Sequence, residues 1–443
     1  MKIPVSKNSL FEFPSLPRNL LLDIQKAAKK ADITNVAIVG GLVRDQLLIN
    51  AEESSLYNSK DLDLLVEGSA TQLAIALRNE LDPKRISNLR IHASYNTVEM
   101  KIDGVPIDLA TARLERYELP GENPKVTPCI LEKDLFRRDF TINAMAIEIS
   151  GKMIGNSEPV GELLDFHGGA VDLDAGLLRA VGDAEKRLGE DGLRVIRAFR
   201  FLERGEGGLR KLDLDLSNAI SSNLEMLERV SKERVWDELS RILAGHHSKE
   251  IVEMMHNHGV LGKILPRISV NLGVRHSRDH MVNLALMCSS ETSYGSELSE
   301  KLAEDLRLSR KEASALCLLH DLRDLELDVS IKSVRRFMAT IPNLNRKRIL
   351  DYLSGAGVET EEFEACYQSA VELRAGNAPL IDGNLLSRIT GIEPGRKLGR
   401  LKDWLHRIQV EEDIENRESL IAMVDEIGWE GSEFEDWPVL SWP

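Results

Sequence analysis

An α+β fold, with a small mixed sheet in front and helices behind it, is what the sequence predicts. Three observations carry that reading. Short β-type runs alternate with helical stretches only as far as about residue 150. From about residue 176, amphipathic helical segments with few β-branched runs continue almost to the C-terminus. In the first part, VEMKI and VPIDLA flank Asp103-Gly104, a strong two-residue hairpin turn signal.

The elements follow in order. Residues 17–31 predict an amphipathic helix, with Leu20, Leu21, Ile24 and Ala27 at helical spacing. Residues 36–39 (VAIV) predict a buried strand, ended by Gly40 and Gly41, and a helix starts over Leu42 to Ile49. Residues 60–66 (KDLDLLV) predict a second strand, residues 71–80 a helix, 98–110 the hairpin, and Met145 to Ile149 a further strand. Helices are expected near 187–203, 216–245, 247–257, 298–320, 331–338 and 345–354. No fixed-period repeat or low-complexity tract interrupts the chain. The expected organisation is an N-terminal helix (1–32), a head (33–150), a neck (151–246) and a helical body with tail (247–443).

Length and composition bound the function. The 443 residues suit two to four domains, and 42% hydrophobic with 29% charged residues is ordinary for a chain that buries real cores. No run of about 18 apolar residues offers a membrane span. The N-terminus lacks an apolar signal core, so a cytoplasmic protein is expected. Cys129, Cys288, Cys317 and Cys366 form no C-x-x-C pair, which points away from a zinc knuckle or disulfide framework. A net charge of −15 excludes a generic nucleic-acid coat, while leaving room for basic residues gathered on one face.

The densest chemistry lies in four segments. In a strand over KDLDLLV, Asp61 and Asp63 share one face and Leu62 and Leu64 the other. Two close carboxylates repel unless a cation sits between them, and a hard divalent ion such as Mg²⁺ suits that site. Two such ions can clamp the attacking and leaving oxygens of an in-line phosphoryl displacement. By itself a D-x-D is equally a solvated strand face. Asp108, polar between Ile107 and Leu109, could reach the same face or simply be exposed. The Gly40-Gly41-Leu42-Val43-Arg44-Asp45 turn lets a phosphate approach backbone N–H groups at a helix start, and Arg44 adds a planar donor fork. It matches neither G-x-G-x-x-G nor a Walker loop. Arg137-Arg138-Asp139, ahead of an apolar strand, calls for phosphate binding or a buried ion-pair network. In Glu190 to Phe201, read as one helix, Glu190 or Asp191 can pair with Arg194. A carboxylate fixed beside an arginine can read a base edge, and such a face can equally be a salt-bridged solvent face.

Together and in this order, the Gly40–Asp45 turn, Asp61-x-Asp63, the Arg137–Ala144 stretch and the Glu190-Asp191-x-x-Arg194 segment resemble the class II tRNA nucleotidyltransferase and bacterial poly(A) polymerase family, within the polymerase β superfamily. The resemblance covers residues 33–245 closely. It implies that Asp61 and Asp63 hold Mg²⁺ and activate an RNA 3′-hydroxyl, and that Gly41 and Arg44 bind a triphosphate. Arg137 and Arg138 would contact the nucleotide, and Asp191 and Arg194 would select CTP or ATP with support from Arg197 and Arg200. The helical body would clasp tRNA by shape and phosphate contacts. The implied activity is template-independent addition of C and A to tRNA 3′ ends, with CC-only, A-only and poly(A) addition as alternatives inside the class. A catalytically dead RNA-binding module is the alternative outside it. Loop differences of the kind that separate these activities fall in 111–135. Where the family usually has Pro, this chain has Gly192. Arg396, Lys397, Arg400, Lys402 and Arg407 make a basic run that could be an RNA contact or an ordinary solvated helix face. His276, His280 and His320-Asp321 suggest a metal phosphohydrolase motif, but Asp324 and Asp328 follow too soon for it; core or capping histidines are expected.

Overall fold

The computed structural model describes residues 16–17, 19–49, 61–116, 124–149, 162–370, 374–376 and 378–443. Lys60 and the centre of the 111–135 loop region lie outside them. The chain divides into two compact units, Met1–Pro266 and Arg267–Pro443.

The first unit is built on a seven-stranded sheet in the order β3-β4-β5-β2-β1-β8-β9. Its strands are β1 (Asn35–Val39), β2 (Leu62–Glu67), β3 (Ile86–His92), β4 (Thr97–Ile102), β5 (Val105–Thr111), β8 (Met145–Glu148) and β9 (Glu162–Asp165). Two further strands, β6 (Arg113–Arg116) and β7 (Lys125–Pro128), form a separate antiparallel ribbon. The sheet is antiparallel except where β2 runs parallel to β5. Alternation sets its two faces. Leu62, Leu64 and Val66 are fully buried on one side, each worth roughly 1.5–3 kcal/mol of burial. Leu65 points the other way, into a cluster with Val39 and with Leu131 and Leu135 of a short helix. Asp63 shares that second side, two residues before Leu65.

The helices of this unit are α1 (Leu20–Lys30), α2 (Gly41–Ile49), α3 (Ala70–Glu80), α4 (Leu131–Phe136), α5 (Gly169–Asp174), α6 (Ala184–Glu190), α7 (Leu193–Arg200), α8 (Leu214–Ser222) and α9 (Lys232–Leu243). Ser69 caps α3 by accepting from the Gln72 N–H, which fixes where the helix begins after β2.

Three expected helices are broken, each by a local polar device. The span 187–203 divides into α6 and α7. Asp191 between them is extended (φ −147°, ψ 110°), and its carboxylate accepts from the Leu193 N–H at 3.0 Å. Asp prefers such a capping role to a helix interior. Gly192 therefore sits at the start of α7, where a Cβ would lie 2.2 Å from the Met226 carbonyl oxygen. Close approach to that backbone is what demands glycine there. The span 216–245 divides into α8, a 3₁₀ segment (Leu224–Arg229) and α9. The Asn223 amide donates to the Ala219 and Glu185 carbonyls at the first break. The span 298–320 is two helices, Gly295–Leu306 and Arg310–Asp321, separated by Arg307 in the left-handed region and restarted by a Ser309/Glu312 capping box.

The second unit is helical. Its C-terminal part packs Leu386, Leu398, Leu401, Leu405, Leu420 and Val424 around Trp429 and Trp437. The basic run divides along the helix Arg396–Glu411. Arg396 and Lys397 are exposed, Arg400 donates to the Glu435 carbonyl, and Arg407 is paired with Glu411. His320 is fully buried against the Ser293 carbonyl, and Asp321 accepts from the Gly295 N–H at 2.7 Å. That pair therefore ties a loop to a helix end. Among the described residues, no helix is long and apolar enough to cross a membrane.

Candidate active site

The residues expected to carry catalysis and nucleotide binding line one cavity of about 780 Å³ in the first unit. Gly40, Gly41, Arg44, Asp61, Asp63, Asp108, Arg137, Arg138, Asp191, Arg194, Arg197 and Arg200 all reach it.

The carboxylate end is set by strand register. Val39 faces Asp63 across β1 and β2, and Asp63 faces Asp108 across the parallel β2–β5 pair. Gly40, at φ 78°, ends β1, and a Cβ on it would lie 2.7 Å from Asp63 Oδ2. Glycine there makes room for the carboxylate as well as for the turn, a function that no sequence motif displays. Burial raises Asp63 to about 6, helped by the charges of Asp108 and Asp61 and opposed by Arg138. Burial also raises Asp108, with Glu99 and Asp61 adding to the effect. Carboxylates pushed upward by one another are the electrostatic signature of a place for a cation. Among the described residues, no three His, Cys, Asp or Glu side chains converge as a ready-made metal cage. An oxygen pair with Asp108 beside it fits a hard ion that completes its shell with phosphate oxygens and water.

The arginine end is held by acids, of which Asp139 was expected in a buried ion-pair network and Asp134, Glu115 and Glu238 carry no sequence signal. Asp134 in α4 is 0% exposed and anchors both arginines of the 137–138 pair. It accepts from Arg137 Nη2 at 2.7 Å, from Arg138 Nε at 3.4 Å and from the Arg113 N–H at 3.1 Å. Glu115 on β6 accepts from Arg137 Nη1 at 2.9 Å and pairs with Arg113 as well, so the ribbon and the arginine pair move as one. Asp139 accepts from Arg197 Nη2 at 2.6 Å and from the Phe140 N–H at 2.8 Å. Burial alone would raise Asp139, but Arg197 and the donors around it hold its carboxyl below the ordinary value. Glu238 of α9, nearly buried, pairs with Arg197 at 3.2 Å and also with Arg200. The Phe201 ring lies under three guanidiniums, those of Arg200, Arg197 and Arg44, at 4.0, 5.1 and 5.7 Å from its centroid.

At the helix break, Arg194 pairs with Glu190 and leaves Asp191 to another partner. Arg194 Nη2 also donates to the Arg137 carbonyl at 3.2 Å, and Arg187 donates to the Arg137 and Phe136 carbonyls at 3.1 and 2.8 Å. These arginines satisfy the open carbonyls at the C-terminus of α4 and fasten α6 and α7 to it. Asp191 is held by Arg234 Nη2 at 2.9 Å, and Arg234 also lines the cavity. Arg234 lies 43 residues away in sequence, so no i,i+3 or i,i+4 rule could have found it.

With that geometry in view, residues 36–179 match the Poly A polymerase head domain, and residues 211–272 match the family described as the probable RNA and SrmB-binding site of polymerase A. The A-adding tRNA nucleotidyltransferase of Aquifex aeolicus is 36% identical over 229 residues, 52% of this chain and 25% of that protein. Its namesake in Geobacter sulfurreducens is 32% identical over 255 residues, 57% of this chain and 27% of that protein. The chain thus spans about a quarter of the length of these two curated relatives. The CCA-adding enzyme of Ligilactobacillus salivarius is 27% identical over 71% of this chain and 76% of its own. Among solved structures, the Bacillus stearothermophilus CCA-adding enzyme in complex with CTP superposes with a TM-score of 0.71 at 21% identity, covering 94% of this chain and 98% of that one. At that identity the likeness establishes the α+β architecture.

Proposed function

We propose that this chain, which belongs to the class II tRNA nucleotidyltransferase and bacterial poly(A) polymerase family, adds C and A nucleotides to the 3′ end of tRNA from CTP and ATP. The observation that carries the reading is the sharing of one cavity by the repelling carboxylates, the Gly40–Arg44 turn and the Asp191–Arg194 break. Phosphoryl transfer, triphosphate binding and base choice thereby meet within reach of a single nucleotide.

Asp61 and Asp63 would hold two Mg²⁺ ions, with Asp108 alongside. When bound, the ions supply positive charge to the attacking and leaving oxygens. The RNA 3′-oxygen forms a bond to the α-phosphorus, the bond from that phosphorus to the bridging oxygen breaks, and pyrophosphate leaves with the electron pair. Through the ions they would hold, Asp61 and Asp63 would favour loss of the 3′-hydroxyl proton to water as the new bond forms. Gly40 and Gly41 leave the backbone open to the triphosphate, and Arg44 and Arg138 supply charge-assisted donors to it. The Asp139–Arg197–Glu238–Arg200 chain keeps the arginines from collapsing onto the carboxylates.

Base choice rests on Asp191, whose carboxylate can accept from the exocyclic amino group that C and A carry and U lacks. Arg194 would donate to ring acceptors from a side chain already fixed by Glu190 and two carbonyls. Asp191→Ala is therefore expected to raise UTP incorporation relative to CTP and ATP by about tenfold or more. Arg234→Ala should shift the ratio the same way to a smaller degree, because Asp191 then keeps only the Leu193 N–H as an anchor. Incorporation of all four nucleotides on one tRNA reads both effects. Slower addition by both variants with the C and A preference intact would remove the selecting role from this corner.

Addition of A alone is the second reading. It is favoured by the Aquifex and Geobacter relatives, both A-adding tRNA nucleotidyltransferases, and it predicts no incorporation of labelled CTP.

A further inference from the structure

Behind the nucleotide cavity lies a second, smaller one of about 240 Å³, lined by Arg44, Arg200, Phe201, Glu203, Arg210 and Arg241. Arg44, Arg200 and Phe201 belong to both cavities, whereas Asp61, Asp63 and Asp108 line only the first. We infer that the second cavity is a binding site for the inorganic pyrophosphate released by nucleotidyl transfer, reached past Arg44; the inference rests on the nucleotidyltransferase reading above.

Charge is the first reason. Four guanidiniums and one carboxylate, Glu203, line the cavity, while Asp45, Glu238 and Asp237 pair with Arg44, Arg200 and Arg241 from outside the lining. Glu203 is occupied by the N–H groups of Gly205 and His247 at 2.8 and 2.9 Å and by the His247 ring at 3.1 Å. Arg210 is 4% exposed and fixed by the Phe201 and Glu203 carbonyls, both at 2.9 Å, so its charge cannot swing away. Burial lowers Arg200, and the like charges of Arg197 and Arg241 lower it further against the pull of Glu238. An anion entering here would meet guanidinium donors that Arg210's carbonyl contacts and the Arg200–Glu238 pair already hold in place.

Position and size are the second. The shared wall carries Arg44, the arginine that stands at the triphosphate turn. In an in-line displacement the leaving group departs opposite the incoming 3′-oxygen, toward the end of the triphosphate that Arg44 would hold. The cavity is smaller than the ~300–1,000 Å³ of sites that enclose drug-sized ligands, which suits a compact polyanion better than a nucleotide. Arg241 forms the outer rim. Its side chain is 57% exposed and its pair with Asp237, 3.0 Å away, lies on the surface, where an ion pair is readily exchanged for another anion.

The test uses the full chain and inorganic pyrophosphate. Nucleotide addition to tRNA is measured with rising pyrophosphate for wild type, Arg241→Glu, Arg241→Lys and a charge control, Lys211→Glu. The expected result is that Arg241→Glu needs about fivefold or more pyrophosphate for half-inhibition, with KM values for ATP and tRNA within about twofold of wild type. Arg241→Lys and Lys211→Glu should stay near wild type. An unchanged half-inhibition in Arg241→Glu overturns the inference. So does an equal shift in Lys211→Glu, which would reveal only the general field. A raised KM for tRNA with unaltered pyrophosphate inhibition also overturns it and gives the cavity to an RNA backbone phosphate. If wild type adds no nucleotide, the function reading falls by itself. Calorimetric titration of pyrophosphate into RNA-free protein then decides: tighter binding to wild type than to Arg241→Glu supports the site, and equal or absent binding overturns it.

Discussion

Asp61→Ala and Asp63→Ala are each expected to lower the rate of both C and A addition by on the order of 10³-fold or more, since several kcal/mol of transition-state charge stabilisation are lost with the ions. Both nucleotides suffer alike because the carboxylates act on phosphate and hydroxyl and never on the base. Asp63→Asn separates chemistry from folding. Asp63 is raised in the folded chain from 3.8 to about 6. The stability it contributes is fully present below its unfolded value and is lost as pH rises through about 6. Removing the charge avoids that loss. Metal-free Asp63→Asn should therefore be more stable than wild type by about 2–3 kcal/mol above neutral pH, and no more stable well below pH 4. Urea denaturation with a chelator at several pH values measures this. An inactive variant that is also less stable at high pH would place Asp63 in the architecture and outside the cation site.

Asp134→Ala carries the second large effect. Its carboxylate is 0% exposed and compensates Arg137 and Arg138 while accepting the Arg113 N–H. Breaking a buried pair from one side leaves cations that are only partly neutralised, at a cost of about 3–5 kcal/mol. Arg137 keeps Glu115, so the collapse is local: the β6–β7 ribbon and the arginine pair lose their common anchor. Weaker ATP binding should accompany the lower unfolding midpoint, because Arg138 is expected to be a triphosphate contact. A variant with the stability loss but unchanged ATP affinity would show that the pair is purely structural. Asp134→Asn, which keeps an acceptor for the Arg113 N–H, should fall between Ala and wild type.

What could be read in the sequence was what repeats locally. The alternation in KDLDLLV placed Asp61 and Asp63 on one face and leucines on the other, and β2 runs from Leu62 to Glu67 with that polarity. Asp103-Gly104 marked a real hairpin between β4 and β5, with Asp103 at φ 52° and Gly104 at φ 83°. β3, by contrast, is a largely exposed edge strand with no apolar face to give a period, and β6, β7 and β9 are four residues each. Helix breaks at Asp191 and Arg307 hid because apolar spacing continues across them, and a capping carboxylate or a left-handed residue decides the boundary. The acids that organise the arginines were hidden for a different reason. Glu238 and Asp139 meet Arg197 from 41 and 58 residues away, and Arg234 meets Asp191 from 43. Glu238 and Arg234 look like ordinary surface charges until the chain has folded, and Asp139, though part of a dense charge cluster, gives no sign of which arginine it meets.

Transfer of C and A nucleotides to tRNA without a template, from one cavity, is the activity proposed for this chain. The direct measurement is to incubate the chain with Mg²⁺ and tRNA transcripts ending before the 3′ C-C-A, after the first C and after C-C, each with one labelled nucleotide at a time, and to resolve the products by single-nucleotide length. The account predicts that CTP extends the first two transcripts, ATP extends the third by one residue, and UTP and GTP extend none. ATP extension of every transcript into a long tract, or no extension with any nucleotide, would contradict it.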